Sequence, residues 1–290
     1  MIKDIYSRKH PVFSLEVFPP KRDDDIALIY QALDDFKNLN PDFISVTYGA
    51  GGSSSKKTVS IASYIQNTCG IEALAHFTCA ALKEHELAGF LTELQQQNIK
   101  NILALRGDHP KEMTEDEFRN RRYQHASDLI EAIRLTSSED AFNIAAACYP
   151  EKHIESTSRE EDILHLKEKV NSGADFLITQ LFFDNQVFYR FLDLVRSQRI
   201  EVPISVGIMP ITSANQIKTI VELSGSKIPT KLSHLIAKYK DEPEDFKKAG
   251  LDFATNQILE LLEHGVDGVH LYSMNKVDVA STIFKNLNLI

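Results

Sequence analysis

The stretch Phe13–Lys21, FSLEVFPPK, alternates Phe13, Leu15 and Val17 with Ser14, Glu16 and Phe18 before two prolines. That alternation reads as a short β-strand. Pro19-Pro20 ends it, because proline has no N–H for the ladder. Glu16 therefore sits near the C-terminal end of a strand, flanked in sequence by Leu15 and Val17 and close to Phe18. Apolar runs of similar length recur at DFISVTY (42–48), EALAHFTC (72–79), NILALRG (101–107), NIAAACY (143–149), DFLITQLFF (175–183), PISVGIM (203–209) and GVHLYSM (268–274). With FSLEVF (13–18) they make eight predicted strands.

Longer amphipathic stretches separate them. DDDIALIYQALDDFKNL reads as a helix with acidic residues in its first turn, where the helix dipole favours them. EHELAGFLTELQQQ places Leu87, Phe90, Leu91 and Leu94 on one face, and REEDILHLKEKVNSG places Ile163, Leu166 and Val170 on one face and ends at a glycine. Strand and helix alternating eight times predict an α/β fold, a (β/α)₈ TIM barrel. An open doubly wound sheet is the rival. It fits less well, because no G-x-G-x-x-G follows the first strand. About 60 residues lie between the seventh and eighth strands, so an extra helical segment is expected there, for example around KIPTKLSHLIAKY. No linker divides the chain, and residues 1–290 are read as a single domain.

The net charge of −9 argues against nucleic acid or an anionic membrane as partner, since either calls for a basic stripe. A local basic pocket for phosphate stays compatible with it. Cys69, Cys79 and Cys148 show no C-x-x-C spacing, so buried free thiols are expected rather than disulfides or zinc. The start MIKDIYSRKH has no apolar core, and no window approaches about 18 uninterrupted apolar residues. A cytoplasmic location is the expectation.

Chemistry in such barrels sits at the C-terminal ends of the strands. The unusual polar residues fall there: Glu16, then Thr47-Tyr48 before GAGGSSS, His76 and Thr78, Arg106-Gly107-Asp108, Tyr149-Pro150-Glu151 with His153, Gln180, and Tyr272 with Asn275 and Lys276. Taken singly, a buried Thr, Tyr or His is more often a satisfied core group than a ligand contact. No lysine lies within a predicted strand, so a Schiff-base aldolase lacks its nucleophile. No His-x-His pair or acidic cluster suggests a metal site, and no metal is expected. General acid/base work by Glu16 and Asp108 remains, with Gln180, Tyr149 and Arg106 as binding groups. That set suits a polar heterocyclic ligand or an organic cofactor.

LEVFPPK, SVTYGAGGS, AHFTC, ALRGD, AACYPEKH, ITQLFFD and VGIMP occur in the order found in methylenetetrahydrofolate reductases, which the chain resembles over essentially its whole length. The resemblance implies a flavin-bearing barrel that reduces 5,10-methylenetetrahydrofolate to 5-methyltetrahydrofolate. Electrons come from NADH or NADPH through FAD in ping-pong order, and the product feeds methionine synthesis. Both substrates are small molecules, and a homo-oligomer is the expected assembly. Thr47, Tyr48, Ala50, His76, Arg106, Gly107, Asp108, Ala126, Tyr149, His153, Asp162 and Lys169 match FAD-contacting positions. Glu16 matches the general acid. Asp108, Gln180 and Gln216 match folate-contacting positions.

Lys276 stands where some relatives carry a substrate-contacting arginine, and Ser156, His165 and Glu168 depart from the bacterial FAD contacts. The loop HPKEMTEDEFRNRRYQ is unlike the shorter bacterial one. The chain ends with the predicted barrel, so no inhibition by S-adenosylmethionine is expected. On this reading the apolar neighbours Leu15 and Phe18 desolvate the Glu16 carboxyl and keep its acid form populated near neutral pH. Arg106 has two open roles, as a phosphate contact or as the structural partner of a carboxylate.

Overall fold

Val12, Phe43, Leu74, Leu103, Ala145 and Phe176 meet inside a closed ring of strands, beneath a short N-terminal helix. The structure, a computed structural model, describes residues 1–20, 22, 25–48, 54–138 and 140–290. Among these, eight strands run parallel: β1 (Val12–Val17), β2 (Phe43–Val46), β3 (Glu72–Thr78), β4 (Asn101–Leu105), β5 (Asn143–Cys148), β6 (Phe176–Thr179), β7 (Ile204–Ile208) and β8 (Gly268–Leu271). They pair in sequence order, and β8 returns to β1. This is the (β/α)₈ barrel that the apolar runs predict.

Helices fill the outer layer and close the N-terminal end of the barrel. They are α1 (Ile2–Tyr6), α2 (Ile26–Lys37), α3 (Ser54–Ser63, continuing as a π-helical turn over Tyr64–Cys69), α4 (Glu84–Gln96), α5 (Glu115–Arg119), α6 (Ala126–Thr136), α7 (Arg159–Asn171), α8 (Asn185–Ser197), α9 (Ala214–Ser224), α10 (Thr230–Tyr239), α11 (Pro243–Glu263) and α12 (Val277–Asn286). The expected extra segment between the last two strands is α9 to α11. No described helix is long and apolar enough to cross a membrane.

Successive strand residues face opposite sides of a sheet. Phe13, Leu15 and Val17 therefore point outward into the layer between barrel and helices, with Ile44, Val46, Ala73, Ala75 and Phe77. The inner face of β1 carries Val12, Ser14 and Glu16. Polar groups collect on one side of the barrel interior, with Ser14, Ser45, His76, Ser205 and His270 all buried. Leu103, Ala145, Phe176 and Ile178 line the opposite side. Helix α1 closes the N-terminal end. Ile2 N donates to Asn101 Oδ1 at 3.0 Å, Lys3 N donates to Asn143 Oδ1 at 2.8 Å, and Tyr6 Oη lies 2.7 Å from Ser205 Oγ.

Several boundaries differ from the sequence reading, two of them informatively. Strand β6 ends at Thr179 rather than at Phe183. The apolar run continues because Leu181 and Phe183 pack with Ile211, Ile220, Leu232 and Phe246 in a separate cluster. Helix α2 begins at Ile26 and has no acidic residue in its first turn; Asp25 precedes it without a side-chain cap. Asp23 and Asp24 lie outside the described residues. The unusual loop after β4 contains α5, capped by Thr114 and Glu117.

Candidate active site

The strand ends open into one cavity of about 1850 Å³. Glu16, Tyr48, His76, Thr78, Arg106, Gly107, Asp108, Tyr149, His153, Gln180 and Tyr272 line it, so eleven of the strand-end residues singled out from the sequence meet there. A smaller cavity of about 190 Å³ adjoins it and shares Arg106, Tyr149 and His153. Ala126, Asp162 and Lys169 line this second space, together with Ser156, His165 and Glu168. The three residues that depart from the bacterial pattern thus occupy the same wall as those that match it.

Register explains the surroundings of Glu16. It pairs with Ser45 of β2, and Ser14 pairs with His270 of β8. Ser45 Oγ lies 3.4 Å from Glu16 Oε2 and 3.3 Å from His270 Nε2, while His270 Nδ1 lies 2.7 Å from Ser14 Oγ. His76 Nε2 is 3.4 Å from the same carboxyl oxygen yet is buried without a hydrogen bond. Leu15 points away into the outer core. The carboxyl therefore sits among polar groups rather than in the apolar pocket expected from its sequence neighbours. Burial pushes it up, but His270, whose Nε2 lies 3.7 Å from the carboxyl oxygen, with His76 and Ser45, outweighs that. Its net displacement is below the ordinary glutamate value, which corrects the expectation of a populated acid. Burial takes His76 down to about 4 against the pull of Glu16, so this imidazole is neutral at pH 7.

Arg106 resolves toward the second of its two roles. Its guanidinium forms a two-pronged bridge with Glu155, Nη2 to Oε1 at 2.8 Å and Nη1 to Oε2. Lys169 is enclosed between β5 and α7; its Nζ donates to Ala147 O at 2.9 Å and stands 5.4 Å from the Tyr149 ring centre. Burial lowers its ammonium pKa against the pull of Asp162. Burial likewise pushes the Tyr149 phenol up to about 12, which keeps it a hydrogen-bond donor.

Other matched positions lie apart. Thr47 is tied into the backbone after β2, its N–H donating to Val17 O at 3.0 Å. Ala50 falls outside the described residues. Gln216 and Lys276 do not line the main cavity. Gln216 caps its own helix, its Oε1 accepting from Thr212 N at 2.8 Å and Ser213 N at 3.0 Å. Lys276 Nζ donates to Thr212 Oγ1 at 3.1 Å, which puts the two on one rim above β7 and β8. Gln180 Oε1 accepts from Leu181 N at 2.9 Å. Ser45, Ser14 and His270 were missed as site residues. Their signal was inward parity with Glu16 within apolar strands. No described group of three or more His, Cys, Asp or Glu residues could hold a metal.

The dimensions and donors suit a long cofactor beside a second ligand. The main cavity exceeds the roughly 300–1,000 Å³ of an ordinary small-molecule site. FAD fits the residues present: half-buried Lys169 and the N-terminus of α6 offer positive ends in the smaller cavity beside the main one. The orphaned Nε2 of buried His76 awaits a polar partner beside Glu16.

The sequence matches the family described as "Methylenetetrahydrofolate reductase" over residues 1–288. "Methylenetetrahydrofolate reductase (NADH) 1" of Arabidopsis thaliana is 35% identical over 298 residues, covering 100% of this chain and 50% of the plant protein. "5,10-methylenetetrahydrofolate reductase" of Escherichia coli (strain K12) is 33% identical over 276 residues, covering 95% of this chain and 90% of the bacterial protein. The chain thus spans about half the length of the plant relative and most of the bacterial one. Among solved structures, an uncharacterized protein from Clostridium thermocellum that binds two copies of 5-methyl-5,6,7,8-tetrahydrofolic acid superposes with a TM-score of 0.71. At 14% identity, covering 98% of this chain and 96% of that one, it is a likeness of fold.

Proposed function

The chain belongs to the methylenetetrahydrofolate reductase family, and we propose that it reduces 5,10-methylenetetrahydrofolate to 5-methyltetrahydrofolate with FAD and a reduced nicotinamide. The observation that carries this reading is the convergence of Glu16, Asp108 and Gln180 on one cavity large enough for two ligands. When bound, FAD would supply hydride transfer between the two substrates. Lys169 and the start of α6 would hold its phosphates, with Arg106 kept in place beside them by Glu155. The substrates would use the same cavity in turn, which gives ping-pong order.

Glu16 would donate the proton that opens the folate imidazolidine ring at N10. Asp108 would place a negative charge against the resulting N5 iminium cation. Gln180 would hydrogen-bond the pterin edge through its Nε2, since its Oε1 already accepts from Leu181. Folate filling the mouth would strip water from Glu16 and favour its neutral form.

The test begins with the purified protein and FAD. A flavin absorbance band should appear, bleach anaerobically with NADH or NADPH, and return on adding methylenetetrahydrofolate. Protein that takes up no flavin, or a bleached band that folate does not restore, sinks the reading.

The lowered Glu16 pKa fixes a pH dependence. The acid form is the active one, and its population falls tenfold for each pH unit above the pKa. The folate kcat/KM, which reports the free enzyme, should therefore fall with a slope of about one log unit per pH unit from about pH 6 to 8. A flat profile over that range would mean that the proton comes from elsewhere.

A further inference from the structure

Tyr272 follows the last residue of β8, and its ring lies across a neighbouring strand. The hydroxyl donates to Thr179 O, at the end of β6, at 2.9 Å. Strand β7 runs between β6 and β8, so the phenol spans a whole strand. Gly207 makes the crossing feasible. A methyl group there would stand 2.7 Å from Tyr272 Cε2 and 2.9 Å from its hydroxyl, and would overlap Thr179 O. The Gly207 N–H also donates to Thr179 Oγ1 at 2.8 Å. Thr179 is thus held at its carbonyl by β8 and at its hydroxyl by β7.

Gln180 is the next residue. Its backbone N–H donates to Cys148 O of β5 at 2.8 Å. The peptide that launches its side chain is therefore fixed from β5 on one side and from β8 on the other. Among the described residues, Gln180 Nε2 makes no hydrogen bond, and the side chain lines the main cavity. Burial, with the Glu16 charge nearby, keeps the Tyr272 phenol protonated far above its ordinary range. Its single O–H is committed to Thr179, so Tyr272 has no proton left to donate into the cavity.

We propose that Tyr272 is a positioning residue that acts through Gln180. The tie across Gly207 fixes the direction of the Gln180 amide and so sets how tightly the protein holds the flat heterocycle of its folate. This rests on the reading of Gln180 as a folate contact.

The test is a double-mutant cycle read by calorimetry, with 5-methyltetrahydrofolate titrated into the FAD-supplemented protein. Tyr272→Phe keeps the ring and its packing and removes only the tie. It should weaken binding about 5–10-fold, the effect of one lost hydrogen bond. In a Gln180→Ala background the same change should shift affinity less than about twofold, because residues that act through one another are not additive. In turnover, Tyr272→Phe should raise the folate KM with kcat within about twofold, and FAD affinity should not move. Equal losses in both backgrounds, or no loss in the first, overturn the proposal while leaving the folate reading intact. Failure of the unsubstituted protein to bind 5-methyltetrahydrofolate overturns both.

Discussion

Glu16→Gln is expected to bind FAD and to be reduced by NADH or NADPH like the unsubstituted protein, while reducing methylenetetrahydrofolate about 10²–10⁴-fold more slowly, the usual weight of a general acid. Glutamine keeps the shape of the side chain and can still accept from Ser45, so the hydrogen-bonded wall of β1, β2 and β8 should survive. What it lacks is a proton to give to N10. Only the second half-reaction needs that proton, so stopped-flow traces of the two halves should separate. Near-normal folate turnover in this variant would falsify the assignment and leave Glu16 as a structural member of the Ser45–His270 network.

Asp108→Asn should produce the next largest loss, and for a different reason. Asparagine keeps the size and much of the hydrogen-bonding capacity but removes one negative charge from the cavity wall after β4. With less negative charge nearby, a bound flavin should show a higher midpoint potential, and its reduction by nicotinamide should be easier or little changed. Folate reduction should slow by about 10²–10³-fold, the scale of losing one preorganised electrostatic partner. Two effects combine there: the reduced cofactor is a weaker donor, and the iminium cation has lost its counter-charge. Spectroelectrochemistry beside stopped-flow distinguishes this from a binding role. Equal slowing of both halves with poor FAD retention would show that Asp108 mainly holds the cofactor.

The barrel was legible because its strands are buried on both faces and so read as apolar runs. Legibility failed where apolar character outlasts the strand, as at Leu181 and Phe183, whose partners lie in the segment after β7. The site was legible as a set of positions and not as an environment. Glu16 has Leu15 and Val17 beside it in sequence, but a strand turns those outward. The neighbours that set its proton affinity come from β2, β3 and β8, by way of a register that no local pattern encodes. Gln216 is a milder case. The spacing Ser213-Ala-Asn-Gln216 is that of a capping box, and the structure uses its carboxamide oxygen in that way.

Helix α1 has a consequence for the order in which the chain assembles. Its three ties reach partners 99, 140 and 199 residues further along the sequence. Bringing such distant segments together carries a loop-closure entropy that later contacts must repay. The helix also has no seat until β4, β5 and β7 stand side by side. The residues of α1 should therefore be among the last to settle, remaining unlatched while the ring of strands forms around their eventual site. Pulsed hydrogen exchange during refolding would reveal it: the amides of Ile2 and Lys3 should gain protection after those of β4 and β5, and earlier protection would show that the plug serves instead as a template on which the barrel is laid down.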